Sequence, residues 1–265
     1  MSLLADHARW LASLHAAADQ PPLRPRVPLQ WRGVTIGSVE PALLDRITHP
    51  SAADGRSLLM NAQGAWHLDG ELTRTLSLVA FALRDAGLAH AWRDEQLAVT
   101  DDAGAVLGTV ERAVVRPLGI ATRAVHLVGL SPSGHHWVQQ RSLTKPNDPG
   151  LWDTLMGGMI PATDSLAQAL ERETWEEAGL AMPQLQNLAH GGAVTLRRPT
   201  GDGGPGYVIE RIDWYRCVLA EGVIPVNQDG EVARFELMAP SDVMRRVLAD
   251  EFTPEAALIL AQAGL

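Results

Sequence analysis

Three glutamates that continue a leucine stripe along one helix constrain this 265-residue chain more than any other feature of its sequence. The stretch GGMIPATDSLAQALERETWEEAGL, residues 157–180, opens on two glycines that end a strand and leave the backbone open to close approach. Asp164 stands as the N-cap of a helix over residues 164–178, and Gly179 as its C-terminal stop. At about 100° per residue, Leu166 and Leu170 fall on one side. That side next carries Glu173 and Glu177, with Glu176 on its shoulder, while Gln168, Glu171 and Trp175 face the opposite way. A glutamate run is ordinarily a solvated helix face. One that shares its side with leucines turns carboxylates toward the protein.

Such a cluster is doubly unfavourable, because like charges crowd together and meet the negative end of the helix dipole. A cation is needed to offset it. Hard divalent ions such as Mg²⁺ or Mn²⁺ take oxygen ligands and suit the set, and Arg172 is the nearest positive side chain for a bidentate pair.

The segment resembles the Nudix box, with Gly158 at the first glycine and Arg172, Glu173, Glu176, Glu177, Gly179 and Leu180 at the later positions, spaced correctly over 23 residues. Asp164 stands where that family has Glu, and Thr174 where it has an aliphatic residue. Neither departure removes a carboxylate from the cluster. The resemblance implies an α+β fold: a Nudix α/β/α sandwich with a mixed sheet, here preceded by a small α+β N-terminal domain. It implies a pyrophosphohydrolase whose Mg²⁺ or Mn²⁺ is held by Glu173, Glu176 and Glu177, joined by a backbone carbonyl near Gly158. A further acid from a later loop is expected to serve as ligand or base; Glu231 is the first candidate and Asp229 the second, each also explained as a turn acid. Arg141 and Lys145 flank the loop after a strand and are candidates for phosphate contact, with solvated surface roles as the simpler alternative.

The rest of the chain fits two units, residues 1–118 and 119–265, divided near Pro117 and Gly119. In the first, residues 2–18 read as an amphipathic helix, LQWRGVTIGSV as a strand, SVEPALLDRI as a short helix, and the segment from Glu71 as a helix ending at Gly87. EQLAVTD and AVLGTVERAVV form two strands about a turn at residues 101–104. In the second, TRAVHLVGL and HHWVQQRS form a hairpin, and WDTLMG is a short strand before the glutamate helix. LAHGGAVTLRRPT and YVIERIDWYRCVLA are long strands, EVARFELM is another, and helices follow from about Ser241.

WVQQRSLTKPNDPGLWDTLMGGMI, NQDGEVARFELM and FTPEAAL are further similar to a Nudix subfamily with an extra N-terminal domain, related to a Nudix portion fused to thiamine pyrophosphokinase in fungi. That likeness implies thiamine diphosphate or its damaged analogues as substrate. Trp137, Trp152 and Trp214 are candidates for stacking on such a ring, with core filling as the simpler role. The competing readings are a pyrophosphatase for nucleoside diphosphate derivatives such as ADP-ribose or dinucleotides, a non-catalytic ligand sensor, and a prenyl-diphosphate isomerase. Sensors of this kind often lose box glutamates, which are present here. The isomerase needs a reactive Cys, and the lone Cys217 lies mid-strand, where a small buried apolar residue is expected.

A formal net charge of −9 argues against a nucleic-acid polymer as partner and leaves a small organic pyrophosphate. One cysteine fits a reducing cytoplasm, the start MSLLADHARW lacks a signal-peptide pattern, and no run is apolar enough to span a membrane. An accessory domain is compatible with a homodimer.

Overall fold

The structure, a computed structural model, describes residues 3–89, 91–145, 147–201 and 204–265. The elements run α1 (Leu3–Ala18), β1 (Val27–Trp31), β2 (Val34–Val39), β3 (Leu59–Ala62), β4 (Ala65–Leu68), α2 (Leu72–Asp85), β5 (Gln96–Thr100) and β6 (Val106–Glu111). They continue β7 (Thr122–Leu130), β8 (His136–Arg141), β9 (Trp152–Asp153), β10 (Met156–Met159), α3 (Leu166–Ala178), β11 (Leu185–Pro199), β12 (Tyr207–Leu219), β13 (Val232–Met238), α4 (Pro240–Leu248) and α5 (Pro254–Gln262).

The second half is built on a mixed sheet ordered β11-β12-β7-β8-β13, with β10 added to β7 and β9 to β8. Strand alternation creates its two faces. Val125 and Leu127 of β7 pack with Cys217 and Leu219 of β12 into a core capped by Ala169 and Leu170 of α3. Ala124, Val128, Ile212 and Trp214 point the other way, against Val243 and Val247 of α4 and the apolar run of α5. Helices therefore cover both faces, as the sandwich reading expects.

The first half holds a four-stranded sheet, β2-β1-β4-β3, and the separate hairpin β5–β6. Leu72, Leu76, Val79 and Leu83 of α2 fill one core with Leu29, Trp66, Leu97 and Val110. Where the sequence reads as one strand over residues 29–39, the chain instead doubles back as β1 and β2. Arg32 and Gly33 make the turn with φ of 48° and 82°. Only the glycine signals such a turn, and arginine at positive φ is not a turn residue one reads from type. The expected short helix at residues 38–47 shrinks to a single 3₁₀ turn, Leu44–Arg46.

Among the described residues, helix α1 packs chiefly on α5 and β11, whereas the sequence groups it with the first half. Its Trp10, Leu14 and Ala18 join the core on the α4–α5 face of the large sheet. An amphipathic helix reports that it has a buried face, not which face it meets.

Candidate active site

Helix α3 is fixed at both ends by its own sequence. Its N-cap is Ser165, whose hydroxyl accepts from the Gln168 N–H, while the Gln168 side chain accepts from the Ser165 N–H at 2.9 Å. This corrects the expectation for Asp164, which sits one residue earlier and accepts a hydrogen bond from Arg172 Nε at 2.9 Å. Gly179 ends the helix at φ 64°, the left-handed stop its type predicts. Glu171 and Trp175 face solvent, Leu170 is buried, and Glu177 on the same stripe is 1% exposed.

Glu177 is the most deeply held of the acids. Its Oε2 accepts from the Gly157 N–H at 2.9 Å and from Gln139 Nε2 at 2.8 Å. Its Oε1 accepts from Lys145 Nζ at 3.1 Å. Burial pushes its pKa up, against the lowering effect of Lys145 and the two hydrogen bonds. Glu173 lies under Gly158, where a Cβ would come 2.1 Å from the Glu173 carboxyl carbon, so any side chain here would displace that carboxylate. Burial first, then the charge of Glu177, raises Glu173 to about 7 despite Arg172. The Arg172 fork also reaches Glu173 at 3.0 Å and Glu176 at 2.8 Å. Its Nη2 is buried without a hydrogen-bond partner.

Lys145 and Glu231 join this cluster from two other loops. Lys145 Nζ bridges Glu177 and Glu231, at 3.1 Å and 2.5 Å. Burial disfavours its charge, but Glu177 and Glu231 outweigh that and raise its pKa. Asp229 stays in the turn, its carboxylate accepting from the Glu231 N–H at 2.8 Å. Arg141 is not brought to the acids of α3: it donates to Asp153 at 3.3 Å and to the Asn147 carbonyl at 3.0 Å, holding the loop that carries Lys145.

Residue-type reasoning passes over two positions that the geometry picks out. Gln139 is 1% exposed, and its Oε1 is buried without a partner beside the bond its Nε2 makes to Glu177. The available signal was an amide at an inward position of a strand. His126 lies beneath Gly157, where a Cβ would meet the ring at 2.4 Å, and its Nδ1 is 2.9 Å from Thr154 Oγ1. It sets the depth of the backbone that donates to Glu177.

Among the described residues, Asp164, Glu173, Glu176, Glu177 and Glu231 face only Arg172 and Lys145 in ion pairs, so five carboxylates meet two cations. Among the described residues, no three acid or imidazole groups already stand as a ligand set. Arg172 and Lys145 occupy the oxygens instead. The donor set is nonetheless all oxygen and short of positive charge, which fits a hard divalent cation rather than a soft one.

The NUDIX domain model matches residues 121–262, more than half of the chain. The chain belongs to the Nudix family. A Nudix hydrolase of Arabidopsis thaliana chloroplasts, Nudix hydrolase 20, is 32% identical over 177 residues, covering 64% of this chain and 46% of that protein. The isopentenyl-diphosphate Delta-isomerase of Streptomyces coelicolor is 30% identical over 159 residues, covering 59% and 77%. The crystal structure of DR0079 from Deinococcus radiodurans matches with a TM-score of 0.52 at 18% identity, over 64% of this chain and all of that one, and so shares the fold. The chain spans about half the length of the plant Nudix hydrolases it matches.

Proposed function

We propose that this Nudix protein is a metal-dependent hydrolase that cleaves a phosphoanhydride bond in a small organic pyrophosphate. The observation that carries the proposal is the buried, under-neutralised carboxylate face of α3 packed beneath Gly157 and Gly158. Glu173, Glu176 and Glu177, with the Gly158 carbonyl, are the groups we assign to hold Mg²⁺ or Mn²⁺. Such an ion, when bound, neutralises the diphosphate and lowers the pKa of the attacking water. The water oxygen bonds to phosphorus as the bridging P–O bond breaks, the departing phosphate takes the bond's electron pair, and the water's proton is released to solvent.

Within the chain, Gln139 and the Gly157 N–H fix one oxygen of Glu177, and Arg172 fixes Glu173 and Glu176 in their rotamers. Although burial opposes it, the hydrogen bond and charge of Lys145 hold the Glu231 carboxyl below its usual range. It therefore stays ionised near neutral pH, which suits it to ligating or to orienting Lys145 better than to accepting a proton.

The relative among isomerases raises prenyl-diphosphate isomerisation as a second reading. Cys217 speaks against it. The thiol is 1% exposed in the core between the sheet and α3, and burial pushes its pKa up to about 12, so no reactive thiolate is available.

Thiamine diphosphate and its damaged analogues are the first substrates to try, on sequence resemblance alone. Trp152 and Trp214 do not strengthen that choice, since both are buried in the core opposite α3, and Trp137 is half-buried against the other core. The test is release of phosphate and phosphomonoester with Mg²⁺ or Mn²⁺ from thiamine diphosphate, ADP-ribose, dinucleotides and nucleoside triphosphates. Release that stops on chelation supports the hydrolase. No release from any member, with either metal, sinks it.

A further inference from the structure

The segment that leads into α3 is tied to the first half of the chain. Pro161, in the loop between the box glycines and α3, forms a strand bridge with Leu97 of β5, and the Ala162 N–H donates to the Gln96 carbonyl at 2.7 Å. Met159 reaches from β10 into the core of the first half. At this junction stand Arg93, just before β5, and Arg112, just after β6. Both guanidinium charges are felt by Glu231. Their backbones are pinned: buried Glu111 accepts from the N–H of Arg93 at 3.0 Å and of Ala113 at 3.2 Å, and Arg112 donates its N–H to the Glu95 carbonyl at 2.9 Å.

An anionic substrate entering this acidic protein needs positive charge that is not already committed. Arg172 is shared among three carboxylates and Lys145 between two. Arg112 meets one, Glu95, at 2.6 Å. Arg93 is exposed, and among the described residues its guanidinium makes no ion pair. Among the described residues whose charge acts on Glu231, the least committed cations, Arg93 and Arg112, therefore lie on the first half of the chain, outside the Nudix-matched residues 121–262.

We propose that Arg93 and Arg112 form an anion site that binds the phosphate of the substrate's pyrophosphate lying farthest from the α3 carboxylates. A phosphate dianion suits two guanidiniums, which donate in planar forks that carboxylates of the site cannot offer. The first half of the chain is then part of the substrate site, not only an appendage to it. This inference rests on the hydrolase reading for the identity of the ligand, but its test does not.

Inorganic pyrophosphate is titrated calorimetrically into the full chain in chelator, comparing the parent protein with Arg93→Gln, Arg93→Lys and Arg112→Gln. Melting temperatures verify folding, and Arg93→Gln, which breaks no ion pair among the described residues, is the decisive variant. The expected result is binding weakened about tenfold by Arg93→Gln and only partly restored by Arg93→Lys, which returns the charge but not the planar fork. In steady-state cleavage, KM should rise by a similar factor with kcat nearly unchanged. Parent protein that binds no pyrophosphate, or variants that bind it equally well, overturn the anion site even if hydrolysis is found. Arg93-dependent binding without hydrolysis of any panel member keeps the anion site and removes the hydrolase reading.

Discussion

At the residue scale, Glu173 and Glu177 make the sharpest claims. Glu177→Gln leaves the Lys145–Glu231 pair in place but takes away the buried anion, so turnover should fall by orders of magnitude while the chain still folds. Full activity of this variant under Mg²⁺ would show that the metal assignment is wrong. Glu173 gives a separate prediction through pH. Its folded-state pKa of about 7 lies above the ordinary 4.5, so the folded chain holds a proton that the unfolded chain releases. Metal-free stability from this group is intact below about 4.5 and declines as pH rises through about 7. The lowered groups Glu231 and Asp213 act oppositely, losing their contribution as pH falls below the ordinary carboxylate range. In chelator, the melting temperature of Glu173→Gln relative to the parent should therefore rise between pH 5 and pH 8, a window chosen about the two carboxyl values. Parallel curves across that range would remove the buried-charge argument.

At the element scale, α3 was readable because its information is local. The leucine stripe, the inward glutamates and the Gly179 stop all lie within one stretch, and the 3.6-residue period orders them without help from the rest of the fold. The sequence places the cap one residue early because Asp164 and Ser165 are both good caps by type, and the Gln168 partner three residues on favours Ser165. Ser165→Ala should cost about 0.5–2 kcal/mol in chemical denaturation with KM unaltered. Gly158→Ala is the complementary change. Gly158 lies in β10 at an ordinary backbone angle, so alanine is tolerated by the main chain, but its methyl group enters the space of the Glu173 carboxyl. Divalent-cation binding, followed by Mn²⁺ paramagnetic resonance without substrate, should weaken while the melting temperature changes little. Unaltered Mn²⁺ binding would mean that Glu173 is not a ligand.

At the scale of the whole molecule, the site is assembled from pieces that sequence order keeps apart. Lys145 comes from the loop after β8, Glu231 from the turn before β13, Gln139 from inside β8, and the box loop is pinned by β5. None of these meetings has a period or a motif to announce it. Lys145 and Glu231 are legible by their chemistry, but their contact follows from sheet order, and β5 carries no readable chemistry at all. That last junction is testable in the intact chain. Leu97 is 2% exposed and belongs to the first core, and it is also the residue bridged to Pro161. Leu97→Ala should cost about 2–5 kcal/mol by the cavity it leaves. If β5 merely decorates the Nudix half, that loss will stay within residues 27–115 as read by hydrogen exchange. If β5 holds the box loop, the Ala162 amide, which donates to Gln96 at 2.7 Å, will exchange faster in the variant. KM for a cleaved pyrophosphate will then rise with it, because the loop carrying Gly158 toward Asp164 and Arg172 loses its outer support.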